Sequence, residues 1–250
     1  MDGIARAAEL LQRSTYSIAL TGAGISVPSG IPDFRSPHSG LWDKVNPMIV
    51  GSLIGFRLNP QAFFDWVRPL TQVALAAQPN PAHYALAQME QAGKLNAVIT
   101  QNIDMLHTRA GSQNVIEVHG SLSRATCIRC FREFDSDQFI DQFIQDGKAP
   151  HCPVCGGILK PNVILFGEAL PHEAVQKARN AVRACRVILV AGSSLAVAPV
   201  CDWPEDAVRH GAHLIIINKE STPLDDRATI IFHDDVATVL PKIAEQLGVV

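Results

Sequence analysis

Short runs of consecutive apolar residues recur along the chain at 17–20, 95–99, 115–118, 163–166, 186–190 and 213–217. Each but the fourth follows, or leads into, a stretch with helical spacing. Pro81–Gln91 precedes the second run and His172–Ala184 precedes the fifth. Runs that are apolar throughout, rather than alternating, suit strands buried on both faces. Strand and helix in alternation predict an α/β fold, with helices covering both sides of a parallel sheet. The N-terminal stretch 1–11 reads as an amphipathic helix. Two stretches break the rhythm. Residues 36 to about 78 lack a strand, are interrupted by prolines and contain a helical segment from 60 to 73. Residues 123 to about 160 carry four of the six cysteines. Both read as inserts.

The polar residues just beyond the apolar runs are the most informative. Thr100-Gln101-Asn102-Ile103-Asp104 follows the second run, and His119-Gly120 follows the third. Open parallel sheets bind ligands outside the C-terminal ends of their strands. The first run leads into Gly22-Ala23-Gly24-Ile25-Ser26, a glycine turn that suits a phosphate-bearing ligand. The third glycine of a full dinucleotide fingerprint is replaced by Val27. Gly30-Ile31-Pro32-Asp33-Phe34-Arg35 continues the loop. Its arginine can pair with phosphate, and its phenylalanine can shield a reacting carbon from water. Gly192-Ser193-Ser194 and Asn218-Lys219-Glu220 follow the last two runs and suit phosphate and ribose. Among nine histidines, His119 stands apart, because a strand end and a glycine leave room beside its ring. Near its ordinary pKa it can accept a proton at neutral pH. His83 has no clustered partner in sequence, and His107 reads as packing or bonding locally.

Cys127-x2-Cys130, then 21 residues, then Cys152-x2-Cys155 supplies four thiolates for a tetrahedral zinc ion. Four protein ligands leave no open coordination position, so the metal is structural. Cys185 reads as a core thiol.

Composition narrows the field further. The net charge of −3 gives no support for direct nucleic-acid binding. No apolar stretch reaches 18 residues, so no membrane span is expected. The N-terminus lacks the layout of a signal peptide. A cytoplasmic setting, where clustered cysteines mean metal rather than disulfide, is the expectation.

Taken in order, these motifs, together with Phe166-Gly167-Glu168, Leu195 and Asn218, resemble those of the sirtuins over nearly the whole chain. The resemblance implies a large Rossmann-type domain from 1–35, 79–122 and 161–250. It implies a small domain from a helical module (36–78) and a zinc-binding module (123–160). It also implies NAD-dependent removal of acyl groups from the lysines of proteins or peptides. In that chemistry the acyl oxygen attacks the nicotinamide ribose and nicotinamide leaves. His119 then acts as general base on a ribose hydroxyl, and the products are free lysine and O-acyl-ADP-ribose. Asn102 and Asp104 match residues that hold the ribose, a water and the nicotinamide amide. Gln101 matches a ribose contact. Gly22, Ala23, Gly24, Ser26, Asp33, Phe34 and Arg35 match the cofactor loop, with Ile103, Gly192, Ser193, Ser194, Asn218, Lys219, Glu220 and Val236 as further cofactor contacts. Val163, Phe166 and Gly167 match a strand region on which substrate peptide pairs by β-augmentation.

Two positions depart from the family pattern. Met105 stands where many members have glycine, with altered packing near the cofactor as the expected effect. Ser193 replaces a common threonine and keeps its hydroxyl. Members that take acidic acyl groups carry Tyr-x-x-Arg in the helical module. Here the stretch is Phe63-Phe64-Asp65-Trp66-Val67-Arg68, which has no tyrosine, and three residues after Phe64 stands Val67. Acetyl or another neutral acyl group is therefore expected over succinyl or malonyl. A protein ADP-ribosyltransferase using the same NAD cleavage, and a non-catalytic NAD-binding module, are the competing readings.

Overall fold

The computed structural model describes residues 3–33 and 47–249. In chain order it begins with α1 (Gly3–Arg13), β1 (Ser17–Thr21), α2 (Pro47–Val50), α3 (Leu53–Leu58), α4 (Pro60–Ala76), α5 (Pro81–Gln91), β2 (Ala97–Thr100), α6 (Leu106–Arg109) and β3 (Val115–Glu117). The cysteine-bearing segment contributes β4 (Gly120–Cys127), β5 (Glu133–Asp135), α7 (Ile140–Asp146) and β6 (Leu159–Val163). Then come α8 (His172–Ala184), β7 (Val187–Ala191), α9 (Trp203–Arg209), β8 (His213–Ile217), β9 (Ile230–Phe232) and α10 (Val236–Gln246).

Among the described residues, six strands form a parallel sheet in the order β3-β2-β1-β7-β8-β9. Alternate side chains explain why the runs are apolar throughout. Ala19, Val98, Leu189 and Ile215 point into one core with α1, α5 and α10. Ile18, Leu20, Ile188, Val190, Leu214 and Ile216 point into a second core with α8 and α9. Each such side chain is fully buried, and every one but the small Ala19 contributes roughly 1.5–3 kcal/mol by leaving water.

The short run Ile230–Phe232 adds an edge strand that the sequence reading missed. The run at 163–166 behaves differently from its siblings. Strand β6 ends at Val163 and lies antiparallel to β4 in a separate sheet ordered β5-β4-β6. The apolar residues beyond Val163 form a turn. Among the described residues no helix is long and apolar enough to cross a membrane.

Helices α3 and α4 share an aromatic core with α7. Phe56–Phe63, Phe63–Phe64 and Phe64–Phe143 meet edge-on at 5.2, 5.3 and 5.2 Å between centroids. Arg68 on α4 donates to the carbonyls of Ile144 (2.6 Å from Nη2) and Gln145 (2.9 Å) at the C-terminal end of α7. A cation there satisfies carbonyls that have no partner within the helix and complements its dipole. Gln61 reinforces the junction, donating to the Gly147 carbonyl at 2.7 Å and accepting from the Ala149 N–H at 3.0 Å.

Candidate active site and cysteine cluster

The strand register aligns the chemistry. Glu117, Thr100, Thr21, Ala191, Ile217 and Phe232 form one row across the C-terminal edge of the sheet. The residues immediately beyond that row are the polar ones singled out from the sequence. Strand order reverses between β1 and β7, which is where doubly wound sheets open a ligand crevice. There the two glycine turns touch. The Gly24 N–H donates to the Gly192 carbonyl at 2.8 Å. A Cβ on Gly24 would sit 2.8 Å from Gly192 Cα, and one on Gly192, whose φ is +61°, would sit 2.2 Å from Ile25 N. Only glycine permits this approach.

A cavity of about 940 Å³ opens on this edge. Gly22, Ala23, Gly24, Ser26 and Asp33 line it, as do Gln101, Asn102, Ile103, Asp104 and His119. So do Gly192, Ser193, Ser194, Asn218, Lys219, Glu220 and Val236, while Val163, Phe166 and Gly167 line it from the side of β6. Phe34 and Arg35 lie outside the described residues.

His119 is half-buried, and its Nδ1 lies 3.1 Å from the Gln101 carbonyl oxygen. A carbonyl only accepts, so Nδ1 carries the proton and Nε2 holds a lone pair. Burial pushes the imidazole below its ordinary pKa, partly opposed by the Gln101 carbonyl. The ring is therefore neutral at pH 7 and competent to take a proton.

Beside it runs a buried chain of hydrogen bonds. Asn102 Nδ2 donates to the Gly22 carbonyl (3.1 Å) and to Ser26 Oγ (3.0 Å). Ser26 Oγ donates to Asp104 Oδ2 at 2.6 Å, and Asp104 Oδ1 accepts the Leu106 N–H at 2.9 Å. Both Asn102 amide hydrogens are thus engaged with protein, which leaves Oδ1 to accept from a ligand. Asp104 braces Ser26 and the start of α6. Gln101 Nε2 donates to Ser193 Oγ at 3.0 Å, joining the ends of β2 and β7. Lys219 pairs with Asp235 at 2.7 Å, and Asp235 also caps α10 through the Ala237 N–H.

Met105 adopts φ +60°, ψ +12° at the start of α6. This is left-handed backbone, which costs a side-chain-bearing residue roughly 1 kcal/mol. It lines a small hollow beside Glu117 rather than the main cavity. The departure from glycine shows up as backbone strain at this position.

His83, read as having no clustered partner, and His107, read as packing or bonding locally, prove to be paired. The rings of His83 and His107 lie 4.8 Å apart, both buried. His107 Nε2 lies 2.9 Å from Thr21 Oγ1, 86 residues away, so its bonding is not local. Asn80 donates to the Ile25 carbonyl and to Ser29 Oγ, both at 2.8 Å, and so anchors the glycine loop to α5. A signal for it existed: Asn80 and His83 stand three apart around a proline, as in a capping box.

The four cysteines converge. Their Sγ atoms lie within 4.8 Å of one another, with Cys127–Cys155 at 3.5 Å and Cys130–Cys152 at 3.7 Å. A tetrahedral zinc with thiolate bonds near 2.3 Å requires sulfurs about 3.8 Å apart. The cluster fits one structural zinc ion. Glycine is required beside it, since a Cβ on Gly157 would sit 2.9 Å from Cys127 Sγ. The Gly157 N–H favours the Cys155 thiolate, but burial and three neighbouring thiols outweigh it and push that thiol up to about 11. A divalent cation removes this conflict.

Strand order and glycine-lined crevice together define a doubly wound, dinucleotide-type α/β protein. The Sir2 family model matches residues 22–199. A protein of Archaeoglobus fulgidus called NAD-dependent protein deacylase 2 is 44% identical over 247 residues, covering 98% of this chain and 96% of its own. A solved structure described as "Structural Basis for the Mechanism and Regulation of Sir2 Enzymes" matches with a TM-score of 0.92 at 43% identity, covering 99% of this chain and 98% of that one. Another, "Sir2-p53 peptide-NAD+", matches at 0.89 and 38% identity, covering 98% of each. The chain belongs to the Sir2 family.

Proposed function

We propose that this protein is an NAD-dependent protein-lysine deacetylase, with His119 as its general base. The supporting observation is the single tautomer imposed on His119 by the Gln101 carbonyl, in a cavity shared with the strand-end residues. NAD, when bound, supplies the ribose that receives the acyl group and the nicotinamide that leaves. Gly22, Ala23, Gly24, Gly192, Ser193 and Ser194 would hold its phosphates, with Asn218, Lys219, Glu220 and Val236 toward the far ribose and base. Asn102 Oδ1 and Gln101 would orient the near ribose. His119 Nε2 would take the proton of a ribose hydroxyl as that oxygen attacks the acyl carbon. The acyl-lysine would enter past Val163, Phe166 and Gly167. The backbone of Phe166 already bonds to Gly51 and Leu53, so a peptide strand would have to use its neighbours.

For the acyl group we propose a preference for acetyl or another neutral form over succinyl and malonyl. Phe64 and Val67 present an apolar wall to the cavity, and the guanidinium of Arg68 is engaged with the end of α7. An acyl carboxylate would be buried there without a partner, at a cost of several kcal/mol. Nicotinamide release on acetyl-, crotonyl-, succinyl- and long-chain-acyl peptides, measured side by side, tests both statements. We expect kcat/KM on acetyl-lysine at least about tenfold above succinyl-lysine. Faster turnover of succinyl-lysine would refute the preference. Gain of ADP-ribose on protein without acyl loss would refute the deacetylase reading.

A further inference from the structure

The segment after β6 carries an ion pair with no part in the chemistry above. Lys160 Nζ lies 3.0 Å from Glu168 Oε2, and the two side chains are 12% and 25% exposed. The same ammonium donates to the carbonyls of Pro161 at 3.1 Å and Val163 at 2.8 Å. An ammonium has three protons, and each has an oxygen here. Glu168 Oε2 also accepts the Leu165 N–H at 3.0 Å, and the Glu168 N–H returns to the Leu165 carbonyl at 3.0 Å. With Gly167 at φ +80°, residues 165–168 form a turn whose third position calls for glycine.

The turn is held on two further sides. The Ile164 N–H donates to the carbonyl of His119 at 2.9 Å. Phe166 accepts from the Leu53 N–H at 3.0 Å and donates to the Gly51 carbonyl at 2.9 Å. Three parts of the molecule therefore meet in this segment: the residue that carries the base, the helical insert and the zinc-module sheet. Val163, Phe166 and Gly167 line the cavity from it.

We infer that Lys160 and Glu168 are positioning residues for the acyl-lysine substrate, an inference that rests on the deacetylase reading. They act through the shape of the 163–168 wall. Lys160 has no proton left for a ligand, so it does not touch the peptide. A contribution to stability alone would be a poor reason for the pair, because the cost of desolvating buried charges offsets most of their attraction. Its backbone partners Val163 and Leu165 fall in this wall, and Pro161 lines the cavity just before it.

Lys160→Met keeps the stem and removes the charge. Lys160→Arg keeps the charge, but a planar fork cannot serve three oxygens grouped around one nitrogen. Glu168→Gln keeps an acceptor for the Leu165 N–H. The readouts are KM and kcat on an acetyl-lysine peptide, the Kd of ADP-ribose, and the melting temperature. For Lys160→Met we expect the peptide KM to rise about tenfold, with kcat and the ADP-ribose Kd each within about twofold. Lys160→Arg should fall between this variant and wild type, and Glu168→Gln should raise the peptide KM by about threefold. An unchanged peptide KM in Lys160→Met, or an ADP-ribose Kd that weakens in step with it, overturns the inference. Should Lys160→Met fail to fold, Glu168→Gln decides by the same criterion. Wild-type turnover of the acetyl peptide tests the deacetylase reading on its own, separately from these ratios.

Discussion

The cysteine cluster and the strand-end site both gather polar side chains at one point, but they are assembled in opposite ways. The cluster closes within residues 127–155, by two tight knuckles and the glycines that let them turn. The strand-end site draws on residues from Gly22 to Val236 and owes its geometry to the register of a parallel sheet. In the first, the side chains and their metal hold the backbone in place. In the second, the backbone holds the side chains. Removing one cysteine should therefore cost the first its structure, and removing the His119 ring should cost the second chiefly its chemistry.

The largest expected effect tests the second half of that contrast. His119→Ala should lower kcat on an acetyl peptide by about 10²- to 10⁴-fold. The ring is half-buried and makes a hydrogen bond to the Gln101 carbonyl, so its loss should lower stability by only about 1–2 kcal/mol. Wild-type turnover in this variant would remove the general-base assignment.

Next in size is the cluster. Cys152→Ser, or stripping the metal with a chelator, should release one zinc per chain, detectable with a chromogenic chelator. Strand β6 leads into the substrate wall, so peptide turnover should fall by at least about tenfold. ADP-ribose affinity should stay within a few-fold, because the parallel sheet is untouched. Equal loss of both would mean that the two regions are not separable.

An effect on stability rather than on turnover sharpens the contrast from the sheet side. Burial holds His83 at about 4, partly opposed by Asp104, and holds His107 at about 3, with His83 adding to the depression. In the unfolded chain both titrate near 6.5. Above that pH neither state binds the protons and stability is fully present. Below it the unfolded chain takes up protons that the fold refuses. Stability should fall by on the order of 1.4 kcal/mol per pH unit for each histidine, down to about pH 4 and then 3. Urea midpoints measured across this window should decline, and His107→Gln should flatten the slope. An identical slope in the variant would show that the pair does not govern acid sensitivity.

What the sequence revealed follows the same division. Sheet strands buried on both faces must be apolar throughout, so 17–20, 186–190 and 213–217 were legible, and the polar residues after them marked the crevice. The cysteine spacing was legible because a metal site of this type is local. Long-range partners were not. His107 finds Thr21 across the sheet, and Arg68 finds the end of α7, through packing that no sequence window contains. The run at 163–166 looked like its siblings, because apolarity reports burial and not extension. A turn supported by Glu168 and Lys160 buries Leu165 as effectively as a strand would. Strand β9, like β3 only three residues long, lacks the polar strand-end motif that His119-Gly120 gave β3.

The contact of Gly24 on Gly192 has a consequence for how such a protein can change. Where those two turns meet, main chain rests on main chain, with no side chain available to enlarge, shrink or recharge. Variation there can only break the seat. Room to change the acyl group lies instead on α4, where Val67 lines the cavity while Phe64 is locked in the aromatic core. A library seeking other acyl groups belongs at Val67.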